Sequence, residues 1–146
     1  MSDDGRALSV RRAERRDVLD PLIEAAYARA LAVRGGVALL EQLWGSATSH
    51  SEVLTAVARC VAEGDVWVAL EEEQVVGGAL VHDRCVQVVW VQPDHRRRRV
   101  ASAILLSLLN SDVAPVDAWA LPGDRATKSL YESVGWKARL LTMRGA

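Results

Sequence analysis

The chain contains little cysteine, has no large excess of charge of either sign and lacks a long apolar run. Its 146 residues include two cysteines, Cys60 and Cys85, and its 18 basic and 19 acidic residues give a formal net charge of −1. Two cysteines without a shared motif predict free thiols in a reducing cytoplasm. His50, His82 and His95 stand far from both cysteines in the sequence, which argues against a zinc site, so no metal is predicted.

The charge balance and the apolar pattern exclude two further classes of protein. A nucleic-acid-binding domain usually carries a clear basic excess, whereas the pI of this chain is about 6.3. The longest apolar run, near residues 100–109, is half as long as the roughly 20 residues that a membrane-spanning helix needs. The N-terminal residues MSDDGRALSV are polar and acidic, unlike a secretory signal. We therefore expect a cytoplasmic protein with neither nucleic acid nor a membrane as its partner.

The order of the predicted elements describes one α+β domain that covers residues 1–146. A chain of this length can bury one core, and apolar spacing together with glycine, proline and capping residues predicts the elements. Strands are predicted at residues 8–11, 66–70, 75–81, 86–91, 116–121 and 136–143. Helices are predicted from a cap at Asp17 to Gly35, at residues 37–44, from a cap at Ser51 to Gly64, at residues 100–110 and at residues 124–134.

Connection lengths then predict how these strands pair. Short turns join the three middle strands, which indicates an antiparallel meander, and Gly77-Gly78 within it predicts a bulge or a close backbone approach. The strand at residues 116–121 follows a helix, so we expect it to pair in parallel. The expected architecture is a mostly antiparallel central sheet flanked by helices, with one β-α-β crossover.

Four consecutive arginines, Arg96 to Arg99, stand between the end of a predicted strand and the apolar helix that begins at Val100. The first turn of a helix has unpaired backbone N–H groups and a partial positive charge, and neighbouring arginines add charged donors. Because this helix is too apolar to be exposed, burial is expected to fix its N-terminus in place. The run therefore indicates a site for a ligand of pyrophosphate size, and a solvated basic loop ahead of a core helix is the alternative.

Two segments resemble the motifs of the GCN5-related N-acetyltransferase (GNAT) family. The residues VWVQP at 89–93, followed by RRRRVA at 96–101, resemble motif A, a strand ending in Val-x-Pro, then Gln/Arg-x-x-Gly-x-Gly/Ala and an apolar helix. The residues GDRATKSLYESVGW at 123–136 resemble motif B, Asn-x-x-Ala-x-x-Leu-Tyr-x-x-x-Gly-Phe. The predicted element order also matches this family over nearly the whole chain. The resemblance implies the GNAT fold and an acyltransferase that moves an acetyl group from acetyl-CoA to a primary amine by direct attack.

The resemblance also implies roles for individual residues. The backbone of the strand at Val89 to Val91 would pair with the pantetheine arm and supply an oxyanion donor near Trp90. The N–H groups from about Arg97 to Ser102 would cradle the pyrophosphate. The implied cofactor-binding residues are Val89, Trp90, Val91, Arg96, Arg97, Arg98, Arg99, Val100, Ala101, Ser102 and Asp124. Tyr131 would protonate the leaving thiolate, since a tyrosine stays protonated at neutral pH, and a core aromatic is its alternative role.

Two positions depart from the family pattern. Arg99 stands where motif A usually has its first glycine. A helical Arg99 would keep the phosphate cradle, whereas a positive φ there would damage it. We therefore expect weakened or reshaped CoA binding, with Arg96 to Arg98 compensating, and a fold that no longer binds CoA is the alternative. Asp124 replaces the usual asparagine of motif B and suits a helix N-cap.

The sequence leaves the general base and the acceptor open. Asp117 is the candidate general base in the acceptor cleft, and the alternative is that Asp117 is simply a strand residue that faces the solvent. A base that acts through water, or no base at all, is a further option. Weaker candidates for the base are Glu24, Glu41 and His82. Trp90 and Trp119 are expected near the donor and acceptor sites.

The acceptor is expected to be an amine of a small molecule or of a protein, and a second subunit of a homodimer could complete its site. A catalytically degenerate GNAT-fold protein, which binds acyl-CoA or a partner protein without turnover, is the alternative function.

Overall fold

The computed structural model describes residues 7–32, 36–44, 49–95, 99–121, 124–139 and 143. The strands are β1 Leu8–Arg12, β2 Val66–Glu71, β3 Gln74–His82, β4 Cys85–Val91 and β5 Asp117–Ala118. The helices are α1 Asp20–Ala32, α2 Gly36–Trp44, α3 His50–Ala62, α4 Val100–Leu109 and α5 Arg125–Glu132, and a short 3₁₀ turn covers Pro93–His95.

The five strands form one sheet in the order β1-β2-β3-β4-β5. All neighbouring pairs are antiparallel except β4 and β5, which are parallel and are joined through α4. The predicted α+β class, the meander and the single crossover are therefore confirmed. Both hairpin turns have two residues with positive φ, Glu72–Glu73 and Asp83–Arg84, which is the backbone of a type I′ turn.

Strand β5 is much shorter than the strand predicted at residues 116–121. It pairs with β4 only at Cys85↔Asp117 and Val86↔Ala118, and a last bond runs from the Trp119 N–H to the Val86 carbonyl at 2.9 Å. The next residue of β4, Gln87, has no partner in β3, because the register shifts between Val81↔Val86 and Leu80↔Val88. A bulge bends and twists its strand, so β4 turns away from β5 directly after their last pair.

The strand predicted at residues 136–143 is wrong for residues 136–139, which form no strand, and residues 140–142 lie outside the described part of the chain. Trp136 instead completes the end of α5. Its N–H donates to the Tyr131 carbonyl at 3.1 Å, and the two rings stack with their centroids 5.8 Å apart. These contacts fold the chain back onto the helix.

Two predicted helix caps are also wrong. Asp17 lies three residues before the start of α1. Its carboxylate accepts hydrogen bonds from both terminal nitrogens of Arg11, at 2.8 and 2.9 Å. The cap of α3 is Ser49, which forms a capping box with Glu52, whereas Ser51 lies in the first turn. At α3 two nearby serines competed for the assignment, and only the backbone geometry decides between them.

The helices cover both faces of the sheet and bury one apolar cluster on each. Leu22 and Ile23 of α1 pack with α3 on one face, whereas α4 and α5 pack on the other. The buried residues of α4 are Val100, Ile104, Leu105 and Leu108. Full burial of an aliphatic side chain contributes about 1.5–3 kcal/mol. This helix is therefore held firmly against the sheet, which fixes the position of its N-terminus as predicted.

The predicted close approach at Gly77-Gly78 is confirmed. A Cβ at Gly77 would lie 2.9 Å from both the Trp90 carbonyl oxygen and Val100 Cγ1, and a Cβ at Gly78 would lie 2.7 Å from the Trp67 carbonyl oxygen. No side chain fits at these distances, so Gly77 allows α4 to reach β3 and Gly78 allows the backbone of β2 to do so.

Two searches of the described residues gave negative results. None of the helices there has the length and apolar character that a membrane span requires. No group of three or more histidine, cysteine or acidic residues there is placed to hold a metal ion.

Candidate active site

The divergence of β4 from β5 opens a cleft of about 640 Å³ in the sheet. Its floor is β4 from Val88 to Val91, and the N-terminus of α4 closes one end. Residues of α5 form one wall and residues of α1 and α2 form the other. We call this space the cleft.

The edge of β4 that faces the cleft carries backbone groups that β3 does not use. The Gln92 N–H donates to the Val76 carbonyl of β3 at 2.9 Å, and this bond fixes which residues of β4 point toward β3. Because the direction alternates along an antiparallel strand, the N–H and C=O groups of Val89 and Val91 point to the opposite edge. This edge can accept an extended ligand as if it were another strand.

The N-terminus of α4 supplies hydrogen-bond donors to the cleft. The first bond of the helix runs from the Ala103 N–H to the Arg99 carbonyl at 3.0 Å, so the N–H groups of Val100, Ala101 and Ser102 have no acceptor within the helix. Arg99 is the N-cap residue, but its side chain makes no capping bond. All four residues line the cleft. Together they form a site for an anion of phosphate type.

Asp124 and Arg29 join the two walls of the cleft. As predicted, Asp124 is the N-cap of α5, and it accepts the Thr127 N–H at 3.1 Å and the Thr127 hydroxyl at 2.8 Å. Arg29 of α1 donates to the same carboxylate at 3.1 Å. Burial raises the pKa of Asp124, but these hydrogen bonds and the charge of Arg29 outweigh burial and hold its pKa below the usual value. Asp124 is therefore a paired carboxylate.

A model of an acetyltransferase (GNAT) domain matches residues 62–138, which is more than half of the chain. The chain belongs to the GNAT family. The matched segment runs from the end of α3 to the turn after α5 and therefore contains the floor of the cleft, the N-terminus of α4 and the α5 wall. A comparison with curated protein sequences found no match.

Solved structures show the same fold at low sequence identity. YjaB from Escherichia coli, in its apo form, has a TM-score of 0.60 at 22% identity, covering 90% of this chain and 83% of that one. The PaiA N-acetyltransferase from Thermoplasma acidophilum, in complex with coenzyme A, has a TM-score of 0.61 at 15% identity, covering 91% of each chain. The aminoglycoside N-acetyltransferase AAC(6')-Iy, in complex with CoA, has a TM-score of 0.59 at 13% identity, covering 99% of each chain.

Arg99, which stands where this GNAT domain would usually have a glycine, adopts the left-handed backbone conformation. Its φ is 60° and its ψ is 22°. This is the positive φ that the sequence analysis identified as damaging to the phosphate cradle. The adjoining Arg96, Arg97 and Arg98 lie outside the described residues, so their predicted contribution to the cradle stays a prediction.

Tyr131 is buried and does not line the cleft in this GNAT fold. It is 6% exposed, and no described residue lies within hydrogen-bonding distance of its buried hydroxyl. Burial, with smaller contributions from Cys85 and Asp124, raises its pKa far above the usual value. Its surroundings match the core aromatic that was its alternative role, and its part as proton donor stays a prediction.

The structure does not bring Asp117 into the cleft. It is exposed and pairs with Cys85 at the closed end, where β4 and β5 still run together. The weaker candidates for the general base, Glu24, Glu41 and His82, are also exposed and do not line the cleft. Among the described lining residues, Asp124 is therefore the one with an acidic side chain. The role of Asp117 as a base stays a prediction that its position does not favour.

The tryptophans divide between the core and the cleft. Trp90 is 5% exposed and lines the cleft, as expected, whereas Trp119 is half-buried and does not line it. Trp67 packs on the α4 face, where the Arg12 guanidinium lies 4.7 Å from its ring centroid. The side chain of Trp44 lies outside the described residues.

Two lining residues with ionisable side chains, Arg29 and His95, were not predicted as site residues. Nε2 of His95 lies 3.6 Å from a carboxylate oxygen of Glu71, while Nδ1 is buried with no described hydrogen-bond partner. His95 follows Pro93 in the connection to α4, so a careful reading of motif A could have included it. Arg29 could not be found, because nothing in the sequence of α1 shows that this residue faces α5.

Proposed function

We propose that the protein is an N-acetyltransferase that transfers the acetyl group of acetyl-CoA to a primary amine. The observation that carries the proposal is the combination, in one cleft, of three N–H groups at the start of α4 that have no acceptor within the helix and the edge of β4 that β3 does not use. Membership of the GNAT family and the CoA complexes of two structural relatives support it.

The lining residues fit this donor. The N–H groups of Val100, Ala101 and Ser102 would bind the pyrophosphate, and the backbone of Val89 and Val91 would hold the pantetheine arm as an added strand. Arg99 would contribute its guanidinium, and the unpaired Nδ1 of His95 offers a further polar contact at the same end. Arg96, Arg97 and Arg98 are proposed to add positive charge.

The remaining groups would assist the transfer. Acetyl-CoA supplies a thioester whose carbonyl carbon forms a bond to the amine nitrogen while its carbon–sulfur bond breaks. A backbone N–H on the strand near Trp90 would stabilise the oxyanion. Asp124 would position the α5 wall through its cap. Tyr131, kept protonated by its raised pKa, is the proposed proton donor to the thiolate, and Asp117 is the proposed base.

A second function, binding of acyl-CoA or of a partner protein without turnover, has specific support. The Tyr131 hydroxyl is buried outside the cleft lining, and the one carboxylate among the described lining residues is already paired. Both observations remove groups that catalysis would use, while the N–H groups at the start of α4 still face the cleft.

Binding is tested by thermal unfolding with acetyl-CoA at a concentration of 100 Kd, where a ligand specific for the folded state adds about 2.7 kcal/mol. In the variant Ala101→Asp, a carboxylate would occupy the pyrophosphate position while favouring the helix N-terminus, so the protein should fold but lose the acetyl-CoA shift. Ala103→Asp is the matched control, since Ala103 lies outside the cleft lining and should keep the shift. No shift of the unmodified protein at millimolar acetyl-CoA would refute the proposal.

Turnover is tested by the release of free thiol over a panel of amines. For an enzyme that uses Tyr131 as its acid, Tyr131→Phe should lower kcat by about 10²- to 10⁴-fold with unchanged acetyl-CoA binding. Normal binding with no turnover for either form would establish the binding function instead.

Two further expectations belong to this proposal. Cys60 and Cys85 are free thiols, which fits the expected reducing cytoplasm. A second subunit at the acceptor site stays a prediction that gel filtration with light scattering can decide.

A further inference from the structure

The cleft has a second wall that the donor site does not use. It consists of Leu22 and Ala30 of α1, Leu39 of α2, and the side chains of Val88 and Trp90, which β4 directs toward α1. We call these five residues the α1–α2 wall. Leu22 and Trp90 lie side by side, since both come within 3.4 Å of the point where a Cβ of Gly78 would sit. The wall is therefore apolar, with Leu22 and Trp90 buried behind it and the half-buried Ala30, Leu39 and Val88 as the part open to a ligand.

The charges beside this wall are unfavourable for a polycation. Arg29 stands next to Ala30 and has 43% of its side chain exposed. Among the described residues that line the cleft, Asp124 has the one carboxylate, and this group already accepts hydrogen bonds from Arg29 and Thr127. Arg99 adds a second guanidinium at the other end of the cleft. Among the described lining residues, an additional ammonium group would find no free carboxylate, because Arg29 already occupies that of Asp124.

Direct transfer requires that both substrates occupy one cavity. The donor takes the edge of β4 and the α4 end, so the body of the acceptor must lie against the α1–α2 wall. We infer that the acceptor is a primary amine on an apolar body that carries no second cationic group, and that Arg29 selects against polycations by holding the Asp124 carboxylate in an ion pair. This inference rests on the proposed acetyl transfer and adds the class of its acceptor.

The apolar wall also helps the chemistry. Removal from water disfavours the protonated form of an amine, so burial against this wall favours the neutral form that can attack. In the transfer the nitrogen–carbon bond forms, the carbon–sulfur bond breaks, and the proton released by the amine balances the thiol that leaves. A cleft without a free carboxylate base can therefore still supply a nucleophilic amine.

The test compares two amines that differ by one charged group. Pentylamine and 1,5-diaminopentane have the same five-carbon chain, and only the second carries another ammonium. We expect kcat/KM for pentylamine to exceed that for the diamine by at least about tenfold, because the second charge must be desolvated against an apolar wall beside Arg29. Equal values, or a preference for the diamine, would overturn the inference.

A pair of variants assigns the selectivity to Arg29. Arg29→Gln removes the guanidinium and frees the Asp124 carboxylate, so the preference for pentylamine should fall to less than about threefold. Arg59→Gln removes the same charge from an exposed position on α3 outside the cleft lining and should keep the full preference. An unchanged preference in Arg29→Gln would show that this residue does not select the acceptor.

Ligand-observed NMR in the presence of CoA separates this inference from the proposed function. If neither amine is acetylated but pentylamine binds at least about tenfold more tightly than the diamine, the acceptor class holds and the acetyl transfer fails. If both amines are acetylated at equal rates, the transfer holds and the acceptor class fails.

Discussion

Replacing Arg99 with glycine should stabilise the protein, although a large charged side chain is lost. Arg99 is the N-cap of α4, with φ at 60° and ψ at 22°, and its side chain makes no capping bond. For a residue with a Cβ this left-handed conformation costs about 1–2 kcal/mol, whereas glycine adopts it without steric cost. Arg99→Gly therefore removes strain from the folded state without removing a hydrogen bond of the cap.

The expected gain is smaller than the strain itself. Glycine also gives the unfolded chain more conformations, which costs about 0.4–1 kcal/mol. The difference leaves a net stabilisation of about 0–1.6 kcal/mol in the free energy of unfolding, with a midpoint of ~0.8 kcal/mol. For a chain of this size, 1 kcal/mol corresponds to a change in Tm of about 2–4 °C.

Urea unfolding of three matched variants checks the reasoning. Arg99→Ala loses the charge but keeps the strain, so it should be no more stable than the unmodified protein. Arg59→Gly makes the same chemical change inside α3, where it should destabilise by about 0.5–1 kcal/mol. If Arg99→Gly were destabilised as much as Arg59→Gly, the backbone at Arg99 would not be strained and the reasoning would be refuted.

Three further predictions concern the fold. Ser49→Ala should lower the free energy of unfolding by about 1 kcal/mol through loss of the capping box, whereas Ser51→Ala should change it little in the same urea titration. Glu73→Gly, at the second positive-φ position of the β2–β3 turn, should raise Tm in a calorimetric scan, and a lowered Tm would contradict the type I′ geometry. The hydrogen bond and charge of Arg11 hold the pKa of Asp17 below its usual value, against the opposing effect of burial. The stability from Asp17 should thus be present above about pH 4 and be lost as the pH falls through its lowered pKa, and the deficit of Asp17→Asn, measured by urea unfolding, should shrink over the same range.

The sequence predicted the elements whose residues carry a strong local pattern. The meander follows from β-branched runs separated by short polar turns, and α4 follows from its apolar composition, so both were placed within a few residues. The type of the hairpin turns could not be predicted, because Glu72–Glu73 and Asp83–Arg84 lack the glycine or asparagine that marks positive φ. The short β5 and the missing strand at residues 136–139 depend on the bulge at Gln87 and on the fold of Trp136 against Tyr131, which are tertiary effects.

The residues of the candidate site that could be predicted from the sequence are those whose position follows from the path of the backbone. The start of α4, the strand Val89 to Val91 and the cap at Asp124 all line the cleft. Each lies at a strand end or a helix start, and the order of the elements determines the position of such ends in the fold. The side chains Asp117 and Tyr131 do not line it. Their place depends on how far β5 pairs and on how deeply α5 is buried, and neither quantity is encoded in a short motif.

The two glycines of β3 connect both halves of the cleft to the sheet. A Cβ at Gly77 would come within 3.1 Å of Val100 and Ile104, so this glycine sets how closely α4 approaches on the donor side. A Cβ at Gly78 would lie 2.7 Å from the Trp67 carbonyl oxygen and 3.4 Å from Leu22 and Trp90, so this glycine sets how closely β2 approaches beneath the α1–α2 wall. Because successive residues of a strand face opposite sides, a methyl group at Gly77 would displace α4 and with it the proposed pyrophosphate donors, whereas a methyl group at Gly78 would first meet the backbone of β2.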